Sequence, residues 1–400
     1  MIRPAAAALA LCGCLGLATG CWGAPALDRQ GMVSIMGVDG APHGGVWVTV
    51  DMVNATGLPP PTSSGGGGNT GEPVLVKDAV APSLGEALGR IADSSQMSLD
   101  LTHMEAIVVG EDLARRGMAD ALEKADRSGE LTITSWLLIT HGATAHDVLR
   151  LTRAAAPQPG TALLETAQYS AIRSCCAAKR LLDFVVLSAV PGYDFETAAV
   201  APALADGLGK RAGFRIRGME VFRGDRLVGM LSPDAALGFL LLSAQVRQQI
   251  LTVPSPFGNL TIELQPGGRR VRVHPTPHGP VIEIALSDKG RLVGMPVTGP
   301  DLSRSPAEAQ MLETLAAHRI LRLAEEALTQ LRAAHSDPLG LGQEVRVDDP
   351  ADWRREGAYW EERAFSALPM RLRVRFTLTR PGVTLCPLTR PCGRVVTPLS

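Results

Sequence analysis

The chain has 400 residues, with 39 lysines and arginines against 40 aspartates and glutamates, a formal net charge of −1. That balance gives no overall electrostatic footprint for nucleic acid or an anionic bilayer, and a hydrophobic content of 46% suffices to bury two or three domain cores. Aromatic residues make up only 4%, too few for an open sugar-stacking cleft.

The N-terminus has the pattern of a lipoprotein signal, residues 1–20. Arg3 supplies the positive charge, Ala5 to Leu17 is apolar but too short to span a bilayer, and Ala18-Thr19-Gly20 stands directly before Cys21. A cysteine after small residues can be thioether-linked to diacylglycerol and become the new N-terminus, so Cys21 is the expected lipidation site. An ordinary secretory signal or a short uncleaved anchor are the alternatives; cutting at Cys12 or Cys14 would leave too short an apolar core. The expectation is a globule held by lipid at the outer face of the cell membrane, because two acyl chains give stable attachment without a further apolar helix. Four cysteines then remain. Adjacent Cys175 and Cys176 have α-carbons only about 3.8 Å apart, which strains a bond between them and favours reduced thiols. Cys386 and Cys392 are the candidate disulfide, in a tail restricted by Pro387 and Pro391.

Along the mature chain, Val46, Val48, Val50 and Met52 alternate with polar or larger neighbours, the period of a strand with one buried face. The Gly/Pro-rich stretch 57–72 has nothing able to pack and lacks the lysine of a phosphate loop. Ser83 with Glu86 three residues on is a capping box, starting a helix whose Leu84, Ala87, Leu88 and Ile91 share a face. Ala106 to Val109 reads as a strand, Glu111 to Arg116 as a helix start, and Leu131 to Thr140 as strand-like. Phe214 to Phe222 and Leu227 to Leu231 flank a turn at Arg223 to Arg226, a hairpin. Ser232-Pro233 then opens an apolar helix. Further strands are expected at Asn259 to Leu264, Arg270 to His274 and Val281 to Leu286. Ser305, Pro306 and Glu308 form a second capping box, opening a helix over 306–332 whose apolar stripe runs from Leu312 to Leu331. The strand at 370–379 alternates most cleanly: Met370, Leu372, Val374, Phe376 and Leu378 on one face, Arg371, Arg373 and Arg375 on the other. That arginine row meets solvent or docks an acidic partner.

Catalytic signals are weak. His141 and His146 stand five apart with Gly142 between them, which does not suit a shared helical face, so no metal site is expected. Asp194 and Glu196 in Tyr193-Asp194-Phe195-Glu196 flank each other rather than face each other, as in a solvated turn. No Gly-x-Ser-x-Gly elbow exists, and Ser94, Ser95 and Ser170 lack a neighbouring base. His103 reads as a satisfied structural histidine, and Trp353 and Trp360, seven apart, as packing residues of one face.

Cys21-Trp22, then Ile35-Met36-Gly37-Val38-Asp39, a strand, a Gly-rich interruption and Ser83-Leu84-x-Glu86-Ala87-Leu88 resemble the start of the Ger(x)C family, lipoprotein C subunits of bacterial spore germinant receptors. Leu101 to Gly117, with Asp126-Arg127 and Glu130, resembles that family's histidine-to-glycine segment. Val221 to Leu231 is similar to its second-domain hairpin, and Asp337-Pro338-Leu339-Gly340-Leu341-Gly342 with Trp353 and Trp360 to its third-domain signature. Residues 24–30 lack the family's acidic-asparagine stretch, Leu131 stands where arginine is frequent, and the tail 383–400 extends past the usual end. The resemblance implies an α+β protein of three mixed domains, mainly antiparallel sheets with packed helices: 21–205, 206–275 and 276–382. It implies a role in nutrient germination beside integral membrane A and B subunits, in the inner membrane of the spore, without catalysis, cofactor or nucleic acid. A solute-binding lipoprotein is the alternative reading, and an exported hydrolase a third.

Overall fold

The computed structural model describes residues 30–53, 74–122, 131–155, 163, 165–169, 176–204, 211–295 and 305–379. Cys21, the loop 57–72, Cys175, Cys386, Cys392 and the tail lie outside the described residues.

The fold is α+β and, among the described residues, is built on two sheets, of ten and four strands. The first has ten strands: β1 (Gln30–Gly40), β2 (Val46–Val53), β3 (Val74–Ala81), β4 (Ser98–Asp100), β5 (Ala106–Val109), β6 (Trp136–Thr140), β7 (Lys179–Arg180), β8 (Glu196–Leu204), β9 (Arg211–Arg223) and β10 (Arg226–Leu231). Along its main path the order is β10-β9-β8-β6-β5-β1-β2-β3. The flanks pair antiparallel and the centre, β8-β6-β5-β1, pairs parallel. Parallel strands need helical crossovers, and those helices cover both faces. Helices α1 (Leu84–Ser95), α2 (Glu111–Arg116) and α4 (Leu181–Ser188) lie on one face with Met36, Val38, Ile107 and Val109. Helix α3 (Ala145–Ala155) covers the other, against Ile35, Ala106, Val108 and Val200. Every residue of β5 is therefore buried.

The second sheet has four strands in the order β11-β12-β13-β14, namely Gln249–Ser255, Gly258–His274, Val281–Gly294 and Met370–Leu378. One face is covered by α5 (Pro233–Leu242) and the long α6 (Pro306–Ala334), which pack so closely that a β-carbon on Gly238 would lie 1.9 Å from the Leu323 carbonyl oxygen. The strands expected at 259–264 and 270–274 are one strand, β12, interrupted by a bulge at Gln265 to Gly268. Helices α7 (Leu341–Asp348) and α8 (Pro350–Glu356) lead back to β14, which pairs parallel with β13.

The capping expectations divide. Ser83 Oγ accepts from the Glu86 N–H at 3.3 Å, and Ser232 Oγ from Ala235 at 3.2 Å. Ser305 makes no side-chain cap: its φ of −129° and ψ of 87° depart from the usual cap geometry. The hydrogen-bonded sheets also cross the expected domain boundaries. Pairing of β8 with β9 carries the hairpin β9–β10 into the first sheet across 205/206, and 275/276 falls in the turn of the β12–β13 hairpin. The hairpin's Met219, Val221 and Leu231 nevertheless pack into the core of the second sheet, while Phe222 and Leu227 face that of the first.

Candidate docking face and buried carboxylate junction

The open face of the second sheet collects the arginine row. Strand β14 alternates inward residues with Arg371, Arg373 and Arg375, all three exposed. Register extends the row sideways, because residues directly opposite in a sheet share a face. Arg272, Glu283 and Arg371 lie abreast, as do Arg270, Ala285 and Arg373. Lys289 and Arg291 continue the same face of β13. Seven cations thus share the face with two carboxylates, Glu263 and Glu283. Glu263 is engaged by Arg291, with Nε at 3.1 Å, and Glu283 stands 3.5 Å from Arg373 Nε and 3.6 Å from His274 Nε2. Among the described residues, Arg270, Arg272, Arg371 and Arg375 have no carboxylate partner. Like charges side by side repel, so the face has the chemistry of a docking surface for an acidic group. The near-neutral total conceals it, since compensating acids lie elsewhere.

A second polar assembly is buried where the hairpin β9–β10, the segment before β8 and the loop after α6 meet. Asp194 Oδ2 accepts from the Asp337 backbone N–H at 2.7 Å, and its Oδ1 from Gly224 at 3.0 Å. The Asp194 N–H donates in return to the Asp337 carbonyl at 3.0 Å. Asp337 Oδ2 accepts from the Gly342 N–H at 2.8 Å and from Trp360 Nε1 at 3.0 Å, and Trp360 packs on Trp353 with centroids 5.6 Å apart. Gly340, at φ 68°, passes so close to Tyr193 that a β-carbon would lie 2.4 Å from the ring. Burial outweighs the donated hydrogen bonds and pushes Asp194 and Asp337 up to about 7, and Tyr193 to about 12.

This overturns the expectation of a solvated turn at Asp194 and Glu196. Both side chains are buried, because Phe195 between them fills the core of the first sheet and draws its neighbours inside. Glu196 pairs with Lys179 Nζ at 3.0 Å, and burial still raises it to about 7.

The remaining sequence-marked residues separate. His141 Nδ1 meets Glu220 Oε1 at 3.1 Å, where burial and the Glu111 charge push Glu220 to about 8. His146 stacks on Trp47 at 4.2 Å and meets Thr49 Oγ1 at 3.0 Å. Asp39 accepts from the N–H groups of Ala145 and His146 at 2.8 and 2.9 Å, capping α3. No group of three metal-ligating side chains occurs among the described residues. His103 is exposed in the turn between β4 and β5, contrary to the expected satisfied position, since the chain leaves the sheet there. Cys176 is buried in the core on the α3 side of the first sheet. Sequence reasoning marked Asp194 and Asp337 separately but did not join them; across a separation of 143 residues no periodicity links them.

Two family models match this chain: "Spore germination protein N-terminal domain" over residues 24–201 and "Spore germination B3/ GerAC like, C-terminal" over residues 217–382. The fold resembles that of a solved structure, "Crystal Structure of the GerBC protein", at TM-score 0.57 and 18% identity, over 86% of this chain and 97% of that one. A candidate spore germination protein of Bacillus subtilis (strain 168), YfkR, is 24% identical over 192 residues. That match covers 48% of this chain and 49% of YfkR, so the chain spans about half the length of that relative. The chain belongs to the Ger(x)C family of germinant receptor C subunits.

Proposed function

We propose that this chain is a non-catalytic C subunit of a nutrient germinant receptor, lipid-anchored through Cys21 at the outer face of the cell membrane, in the spore's inner membrane, beside integral membrane A and B subunits. The observation that carries the reading is the match of both family segments across nearly all of the mature chain. Two features support it. No helix among the described residues is long and apolar enough to cross a membrane. The sequence-marked histidines lie apart, His141 against Glu220 and His146 against Trp47 and Thr49, rather than joined with a nucleophile and an orienting partner. Arg371, Arg373 and Arg375 are the proposed partner-docking residues, and Cys386–Cys392 the proposed disulfide. No cofactor or nucleic acid is required.

The test is genetic and biochemical together. Deleting the gene is expected to impair nutrient-triggered germination while a chemical trigger that bypasses the receptor still works. Cys21→Ala is expected to release the folded protein from membranes. A normal nutrient response in the deletion strain, with no duplicate receptor present, ends the proposal.

A further inference from the structure

Helix α4, Leu181–Ser188, reads LLDFVVLS. Leu181 and Phe184 are buried in the core of the first sheet. The outward side carries Leu182, Val185 and Val186, at 41%, 43% and 51% exposure, the latter two three and four residues after Leu182 and so on one face with it. Ile133, 40% exposed, joins them, because its carbonyl accepts from the Leu182 N–H at 2.9 Å. A helix apolar on both sides belongs inside a structure, yet this one stands at the surface.

The position of the patch indicates its cover. Strands β1, β5 and β6 run parallel, so their starts share one end of the sheet. Ile35, Ala106 and Trp136 lie abreast, and β1 begins five residues earlier, at Gln30. Helix α4 begins at the start of β6: Arg180 sits opposite Trp136, and the Leu181 N–H donates to the Ser135 carbonyl at 2.9 Å. The apolar patch and the entry of the chain from Cys21 are therefore at the same end. The nine residues from Cys21 to Gln30 reach at most about 30 Å fully extended, so a lipid on Cys21 keeps that end near the bilayer. The patch border also suits headgroups. Arg180 is exposed with its guanidinium 5.3 Å from the Trp136 ring centroid, while the Asp183 carboxylate turns inward to accept from the Arg180 N–H at 2.8 Å.

We infer that this end of the first sheet rests on the phospholipid surface, with Ile133, Leu182, Val185 and Val186 entering the headgroup–acyl boundary and Trp136 and Arg180 at headgroup level. The protein then has a fixed orientation on the membrane rather than swinging on its tether. The inference rests on lipidation at Cys21, and the experiment separates the two. The full lipidated chain, as parent, Val186→Trp and Val80→Trp, is placed in phosphatidylcholine vesicles containing some phosphatidylglycerol, with and without brominated acyl chains. Flotation with the vesicles reads the anchor; quenching of the added tryptophan reads the patch. Interfacial helices enter about 5–10 Å, so bromine should quench about half or more of the emission added by Val186→Trp and leave that of Val80→Trp unchanged, since Val80 is exposed and lies level with Asp39 at the other end of the sheet. Chains that float but in which the emission added by Val186→Trp over the parent is equal with and without bromine overturn the inference and leave the anchor standing; the patch is then covered by protein. Chains that fail to float overturn the anchor and, with it, the orientation.

Discussion

The two sheets solve the same burial problem differently. The first is closed on both faces by helices, and its central strands have no exposed side. The second is closed on one face only, and its other face gathers seven cations around two carboxylates. A sheet sandwiched between helices gains stability from both faces and has little surface left to present. A sheet open on one side can vary that side at little cost to folding, so charge can accumulate there.

The largest expected effect breaks the first sheet. Ile107 and Val108 are adjacent in β5, point to opposite faces and are both fully buried. Ile107→Ala should cost about 2–5 kcal/mol and Val108→Ala a comparable though smaller amount, measured as shifts in urea midpoint. If one of the pair is tolerated, one face is less closed than described here.

An intermediate effect is expected where the two sheets meet. Asp337→Ala removes the acceptor of the Gly342 and Trp360 N–H groups and should cost about 2–4 kcal/mol. Asp337→Asn keeps an acceptor and should cost less. The same residues set the pH response. Asp194, Asp337 and Glu196 sit at about 7 and Glu220 at about 8, against ordinary values of 3.8 and 4.5. Between those limits the folded state binds more protons than the unfolded one, so stability falls as pH rises through about 7 to 8. Urea midpoints should be lower at pH 8.5 than at pH 5.5, and Asp337→Asn should flatten the difference. A midpoint that rises over this range would contradict buried, protonated carboxylates.

The smallest effect on folding sharpens the comparison from the other side. Replacing Arg371, Arg373 and Arg375 together by serine should move stability by only about 0.5 kcal/mol, because they face solvent and repel one another. Arg373→Glu should leave the fold intact yet weaken co-purification with the partner subunits, more clearly at low salt. Stability loss of several kcal/mol in the triple variant would show that the face is structural.

Legibility in the sequence followed the same division. The alternation of β14 and the stripe of α6 were plain, because a half-buried element must repeat its apolar residues with its own period. Strand β8 and helix α4 gave no such signal: β8 lies inside a doubly covered sheet, and α4 is apolar on both sides. The separate second-domain hairpin was expected from a good turn, and the turn is there, with Gly224 at φ 59°. Which sheet the hairpin joins depends on β8, a partner that the turn does not encode.

By itself the sequence determined the family, the α+β class, the candidate lipidation site and the arginine row, since each is a local pattern of residue type and spacing. Tertiary structure alone decided that Arg270 and Arg272 stand beside that row, that Asp194 and Asp337 share one buried junction, and that the apolar face of α4 lies at the end where the chain enters. These are meetings of distant segments. Strand register and core packing bring them together, and neither is fixed by the residues on one segment alone.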